Sequence, residues 1–305
     1  MNPFKRLSDI IDPGDGMLDE SEYPEDMGRG ETYGPGRAPS QFLNVYRTQL
    51  KLYSKDIATL CLYLFVIAIP VLALSDVLNG LVFDRYLQEL GDTGETYAAL
   101  CLGLLSLMMA MTASVVCGNI LPNEFRSRTA YLNLPFPQSR GVFYFGKFAA
   151  GLTVVLSIVA AAYAMAIFVT SWKYDTMSSK AVLQSVTIAL AGTFAFCATA
   201  YGLSAFLSKS STMLPFIFIF MILPMVGLMM SGSGAVEEYI GYLPCFSGDI
   251  ALRCLGSTYS VSTSYLFTSS ATITSCNPMV AAAICVAWGV LFLLIGFNRI
   301  GRREM

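Results

Sequence analysis

Few side chains in this protein could make or break bonds, and their spacing excludes most such chemistry. Histidine is absent from the 305 residues. That removes Ser-His and Cys-His nucleophile pairs, imidazole metal ligands and the usual side chain that titrates near neutrality. The eight cysteines form no Cys-x-x-Cys pair, so zinc and dithiol redox chemistry have no scaffold. Cys61, Cys101, Cys117, Cys197 and Cys285 lie inside apolar runs, where a thiol behaves as a small hydrophobe. Gly141 to Lys147 (GVFYFGK) follows the phosphate-loop pattern but fails at Phe148, where Ser or Thr must hold magnesium. No strand precedes it and an apolar run begins at Phe143, so Lys147 is expected as an interface lysine at a helix start. Gly232-Ser233-Gly234 lacks a general base, no His-Glu-x-x-His occurs, and no apolar run carries an aspartate pair. The chain is not expected to be an enzyme, nor to hold a metal or cofactor of its own.

The remaining concentration of charge is mechanical in character. Gly118 to Lys147 is the longest charged interruption between two strongly apolar runs. It holds four of the chain's 19 Lys and Arg (Arg126, Arg128, Arg140 and Lys147) against the single acid Glu124. Its centre reads as a short helix with Pro122 in the first turn, where a missing amide hydrogen costs nothing. Glu124 and Arg128, four apart, share a face, while Phe125 and Leu132 occupy another that can press into a groove. Pro135 and Pro137 stop the helix. Such a helix, slung between two membrane spans on the basic side, suits contact with a cytoplasmic partner.

The elements that must position this segment follow from composition. Charged residues are 13% and apolar residues 55%, with a mean hydropathy of +0.59. Soluble domains carry about 25% charge, so the chain is read as an all-α polytopic membrane protein. Residues 1–39 contain nine of the 21 acids and are rich in Gly and Pro, which predicts a flexible cytoplasmic tail. No apolar h-region follows Lys5 and Arg6, so no cleavable secretory signal is expected there. Residues 40–56 place Phe42, Val45, Tyr46, Leu50 and Tyr53 on one helical side, with Arg47, Lys51 and Lys55 on the other. This is the pattern of an amphipathic helix in the membrane interface, anchored by those three basic residues.

Residues 57–305 form the expected transmembrane domain. Six apolar runs, near 57–78, 97–117, 143–170, 181–207, 212–231 and 279–298, each reach the roughly 20 residues needed to cross hydrocarbon. Pro70, Pro215 and Pro224 are expected to kink their helices. Gly103, Gly118, Gly151 and the Ala-rich 159–166 allow close helix approach. Met108, Met109, Met111, Met221, Met225, Met229 and Met230 read as adaptable packing or as a pliable lining. Fifteen of the 19 Lys and Arg fall on one side of this topology. Arg85, Lys173, Lys180 and Arg253 fall on the other, which places both termini in the cytoplasm of a multi-pass cell-membrane protein. The cytoplasmic segment then spans 119–140 and a long outer loop spans 232–277. That loop reads as one or two short helices broken at Pro244. It contains Cys245, Cys254 and Cys276, any two of which could pair on an oxidising face. The spans carry no ion-relay residues in their interiors, and Gln184 is their only side-chain amide.

From Glu124 to Lys147 the sequence resembles the ABC-2 family of transporter permeases. The likeness rests on Glu124-x-x-x-Arg128-Thr129, Leu134-Pro135, Ser139-Arg140 and Gly146-Lys147, set in the loop between the second and third spans. The resemblance implies an export-type permease that dimerises with a second copy or a homologous permease, on two nucleotide-binding subunits holding ATP and magnesium. It also implies that 120–134 is a coupling helix meeting the nucleotide-binding subunit through Glu124, Phe125, Arg126, Arg128, Thr129 and Leu132, that 40–56 is a connecting helix, and that the outer helices cap the pathway. The lipid bilayer is the other partner, and no nucleic acid is expected. Two competing readings are a non-transporting six-span scaffold and a passive channel.

Overall fold

In the computed structural model the described residues are 38–73, 94–102, 105–126, 140–174, 178–207, 242–255 and 277–302. All their regular structure is helical. In chain order the helices are α1 (Ala38–Tyr53), α2 (Ile57–Ala73), α3 (Gly94–Cys101), α4 (Leu105–Val116), α5 (Ile120–Arg126), α6 (Arg140–Lys173), α7 (Ser179–Ser204), α8 (Ser247–Leu255) and α9 (Pro278–Arg302). A 3-10 turn, Pro244–Phe246, leads into α8. The acidic tail, the expected fifth span with Pro215 and Pro224, and most of the 232–277 loop lie outside the described residues.

Among the described residues three helices are long and apolar enough to cross a membrane: Gly141–Lys173, Ser179–Ser204 and Pro278–Ile300. The 34 residues of α6 make it about 50 Å long, well beyond a hydrocarbon core of about 30 Å. α2 continues helical through Pro70. The outward faces carry Phe168, Leu183, Val286, Leu291 and Leu294, all exposed. In water such a surface would associate; in hydrocarbon it is the solvent-matched face.

α6 and α7 form the centre. α9 and α8 pack on α7, α1 and α2 on α6, and α4 touches both central helices. The α7–α9 contact is set by small residues, because a hydrocarbon solvent gives helices no apolar incentive to associate and close packing must supply it. A Cβ on Gly202 would run into the backbone carbonyl of Phe292, and one on Gly296 would meet Gly202 Cα at 2.8 Å. Beside this crossing Tyr201 Oη donates to the Tyr144 carbonyl (2.9 Å) and Tyr144 Oη to the Leu293 carbonyl (3.3 Å). Trp288 Nε1 donates to Thr199 Oγ1 at 3.2 Å. Buried threonines return their hydroxyls to their own helix: Thr112 to Met108, Thr170 to Ala166, Thr193 to Ala189 and Thr199 to Ala195. No polar group is thereby left facing an apolar neighbour unpaired at these positions.

Met108 and Met109 are buried and Met111 partly so, which makes them packing residues of α4. Ala162 and Ala166 are buried in α6, while Gln184 is exposed near the start of α7.

Candidate functional site

The segment expected to receive a partner begins where α4 ends. Cys117 N bonds the Ala113 carbonyl at 2.9 Å, and Gly118 N is shared between Ala113 and Ser114 (3.2 and 3.1 Å). Asn119 Nδ2 donates back to the Val115 carbonyl at 3.1 Å. These bonds close α4 within three residues, and α5 starts at Ile120. Pro122 falls in its first turn, where it needs no donor, and Asn123 N takes up the ladder to Asn119 O at 3.1 Å. Ile120, Leu121 and Pro122 are buried, and Asn123 is exposed. The root of α5 is therefore fixed in the core while the chain emerges within one turn.

Three helices meet at that root, around a glycine. A Cβ on Gly151 of α6 would lie 3.0 Å from both Cys117 Sγ and Ile120 Cδ1, and 3.7 Å from Tyr53 Oη. Tyr53, the last residue of α1, is buried and donates its hydroxyl to the Val116 carbonyl at 3.0 Å. Burial, followed by the nearby Cys117, pushes the Tyr53 phenol far above its ordinary range, so it remains a donor at any physiological pH. Higher up the same contact, a Cβ on Gly146 would sit 3.1 Å from Val45, and Tyr46 Oη donates to Thr153 Oγ1 at 3.2 Å. α1 is thus seated along α6 and tied by its end to the α4–α5 corner.

The residues predicted for partner contact are only partly within view. Glu124, Phe125 and Arg126 form the last turn of α5; their side chains lie outside the description, as do Arg128, Thr129 and Leu132 altogether. On α1 the predicted division of faces is present. Arg47, Lys51 and Lys55 are exposed, Tyr53 is buried, and Phe42, Val45, Tyr46 and Leu50 are partly so. The helix runs over 38–53 rather than 40–56, because Lys55 N and Asp56 N fold into turns onto Leu52 and Tyr53. Gln49 on the packed face was not anticipated, though it follows Tyr46 and precedes Tyr53 at helical spacing.

Lys147 also differs from expectation. It is the eighth residue of α6, 5% exposed, with Nζ 4.2 Å from the Phe143 ring centroid. The glycines of the GVFYFGK stretch are consecutive turns of one helix, whereas a phosphate cradle needs a loop leading into a helix N-terminus. Among the described residues no three His, Cys, Asp or Glu side chains gather as a metal site. Cys254 is partly exposed on α8 and unpaired among them; the side chain of Cys245 and all of Cys276 lie outside the description.

The family model described as "ABC-2 family transporter protein" matches residues 30–305 of the chain. No curated protein matches it.

Proposed function

Because this chain belongs to the ABC-2 transporter family, a family of membrane transport components that are not themselves catalytic, we propose that it is the permease subunit of an ATP-driven exporter. In this reading it crosses the cell membrane six times with both termini in the cytoplasm. It pairs with a second copy or a homologous permease, and two separate nucleotide-binding subunits bind ATP and magnesium. Family membership implies the association with an ATPase subunit; direction, pairing and energisation are the proposal.

The observation that carries it is the corner at Gly151. The coupling segment, 120–134, leaves the bundle from a root clasped by α1, α4 and α6, with no side chain at Gly151 to hold them apart. A push on the emergent end of α5 therefore moves α1 and α4 with it, since packed helices shift as bodies rather than deform. Glu124, Arg126 and Arg128 supply polar contacts to the ATPase, and Phe125 and Leu132 pack into its cleft. Arg47, Lys51 and Lys55 hold α1 at the lipid headgroups beside it.

The test is ATP turnover by the partner ATPase reconstituted with this chain in nanodiscs. Wild-type chain is expected to change the turnover rate severalfold, and the double substitution Arg126→Glu, Arg128→Glu to return it to that of the ATPase alone. Equal rates with wild-type and double-substituted chains would refute the coupling role.

A further inference from the structure

The root of α5 also brings two thiols together. Cys117, whose amide closes α4, and Cys197 of α7 are both fully buried and both free. The Cys197 thiol donates to the sulfur of Cys117, so the two groups touch although they lie 80 residues apart in the chain. α7 packs against both α4 and α5. Cys117 Sγ stands 3.0 Å from the place a Cβ on Gly151 would take, at the glycine where α1, α4 and α6 meet. The Tyr53 hydroxyl, bonded to the adjacent Val116 carbonyl, lies within electrostatic reach of both sulfurs.

Two alanines or serines would fill this contact as well; what touching thiols add is a reversible covalent bond. A switch that works by creating charge is costly in an apolar interior, where the new charge must be desolvated. Dithiol and disulfide are both neutral, so neither state buries a charge. Contact supplies the proximity that makes closure effectively unimolecular once one sulfur is oxidised.

We propose that Cys117 and Cys197 form a redox lock, closed by a membrane-borne organic hydroperoxide. One thiol sulfur attacks the outer peroxide oxygen and the O–O bond breaks. The thiol proton passes to the departing alkoxide, leaving a sulfenic acid and an alcohol. The second sulfur attacks the sulfenic sulfur, forms the S–S bond and expels water, its own proton leaving with the hydroxide. Two thiols thereby lose two electrons, and one hydroperoxide is reduced to an alcohol and water. An oxidant dissolved in hydrocarbon suits fully buried thiols, which aqueous oxidants meet only slowly. The bond ties the α4–α5 corner to α7, so the corner no longer moves with α5 and α1. That consequence rests on the coupling role proposed above; formation of the bond does not.

The test treats the full chain in nanodiscs with cumene hydroperoxide, at a dose raised until Cys61, exposed on α2, is oxidised. Remaining thiols are capped and the peptides mapped by mass spectrometry. A linked pair carrying Cys117 and Cys197 is expected, released by dithiothreitol and missing from the Cys117→Ser and Cys197→Ser chains. With the partner ATPase, oxidation should cut the chain's effect on turnover severalfold, reversibly in the wild type and not at all in either variant. Oxidised Cys61 without the linked pair would overturn the proposal. A linked pair that leaves turnover unchanged, or an equal loss in the serine variants, would overturn the lock and leave the permease reading standing. A reduced chain that never affects the ATPase would instead defeat that reading, with the linked pair still deciding the dithiol.

Discussion

Tyr53 is the residue on which the corner most visibly depends. Its ring is buried and its hydroxyl, with Gln49 beside it, donates to the carbonyl of Val116 at the point where α4 gives way to α5. Tyr53→Phe keeps the ring and removes only the bond, so it should cost about 1 kcal/mol of stability. It should also weaken the response of the partner ATPase to this chain by more than that loss explains. The checks are a melting curve and the turnover assay on the same preparation. In sequence, Tyr53 was legible as part of an apolar face because its spacing from Phe42, Val45, Tyr46 and Leu50 is helical. Its bond to Val116 was not, since nothing local links residues 63 apart. Lys147 shows the converse. A lysine four residues into an apolar run reads as an interface residue, and only the packing around α6, with Phe143 one turn back, shows it buried.

At the scale of elements, periodicity and breakers carried far. The amphipathic pattern gave α1 to within a few residues, and Pro122 placed the start of α5. What could not be read is where uniformly apolar helices touch, because a helix hydrophobic all round has no face to distinguish. Gly202 and Gly296 fix the α7–α9 crossing, and Gly192 the seat of α8, yet a glycine within an apolar run gives no sign of which neighbour approaches it. Gly151 was anticipated as a place of close approach; that α1, α4 and α5 all converge there was not. The emergence of α5 has its own prediction. Asn123 is exposed immediately after the buried Leu121 and Pro122. Asn123→Cys, set against the wild-type chain as background, should be labelled by a membrane-impermeant maleimide only from the cytoplasmic side. Labelling only from outside would place the corner on the wrong face.

For the whole molecule, composition alone marked a membrane protein, and the family match over residues 30–305 makes it a member of the ABC-2 transporters. That family consists of membrane transport components that are not themselves catalytic. In this account the energy arrives from outside, at α5. The cargo is not written in local pattern, because it depends on contacts that helices make only once assembled. Affinity purification of the full chain from its native membrane bears most directly on the central claim. The account predicts that a phosphate-loop ATPase comes with the wild-type chain and is lost from the Arg126→Glu, Arg128→Glu chain, with melting unchanged. Recovery of no ATPase, or equal recovery with both chains, would contradict it.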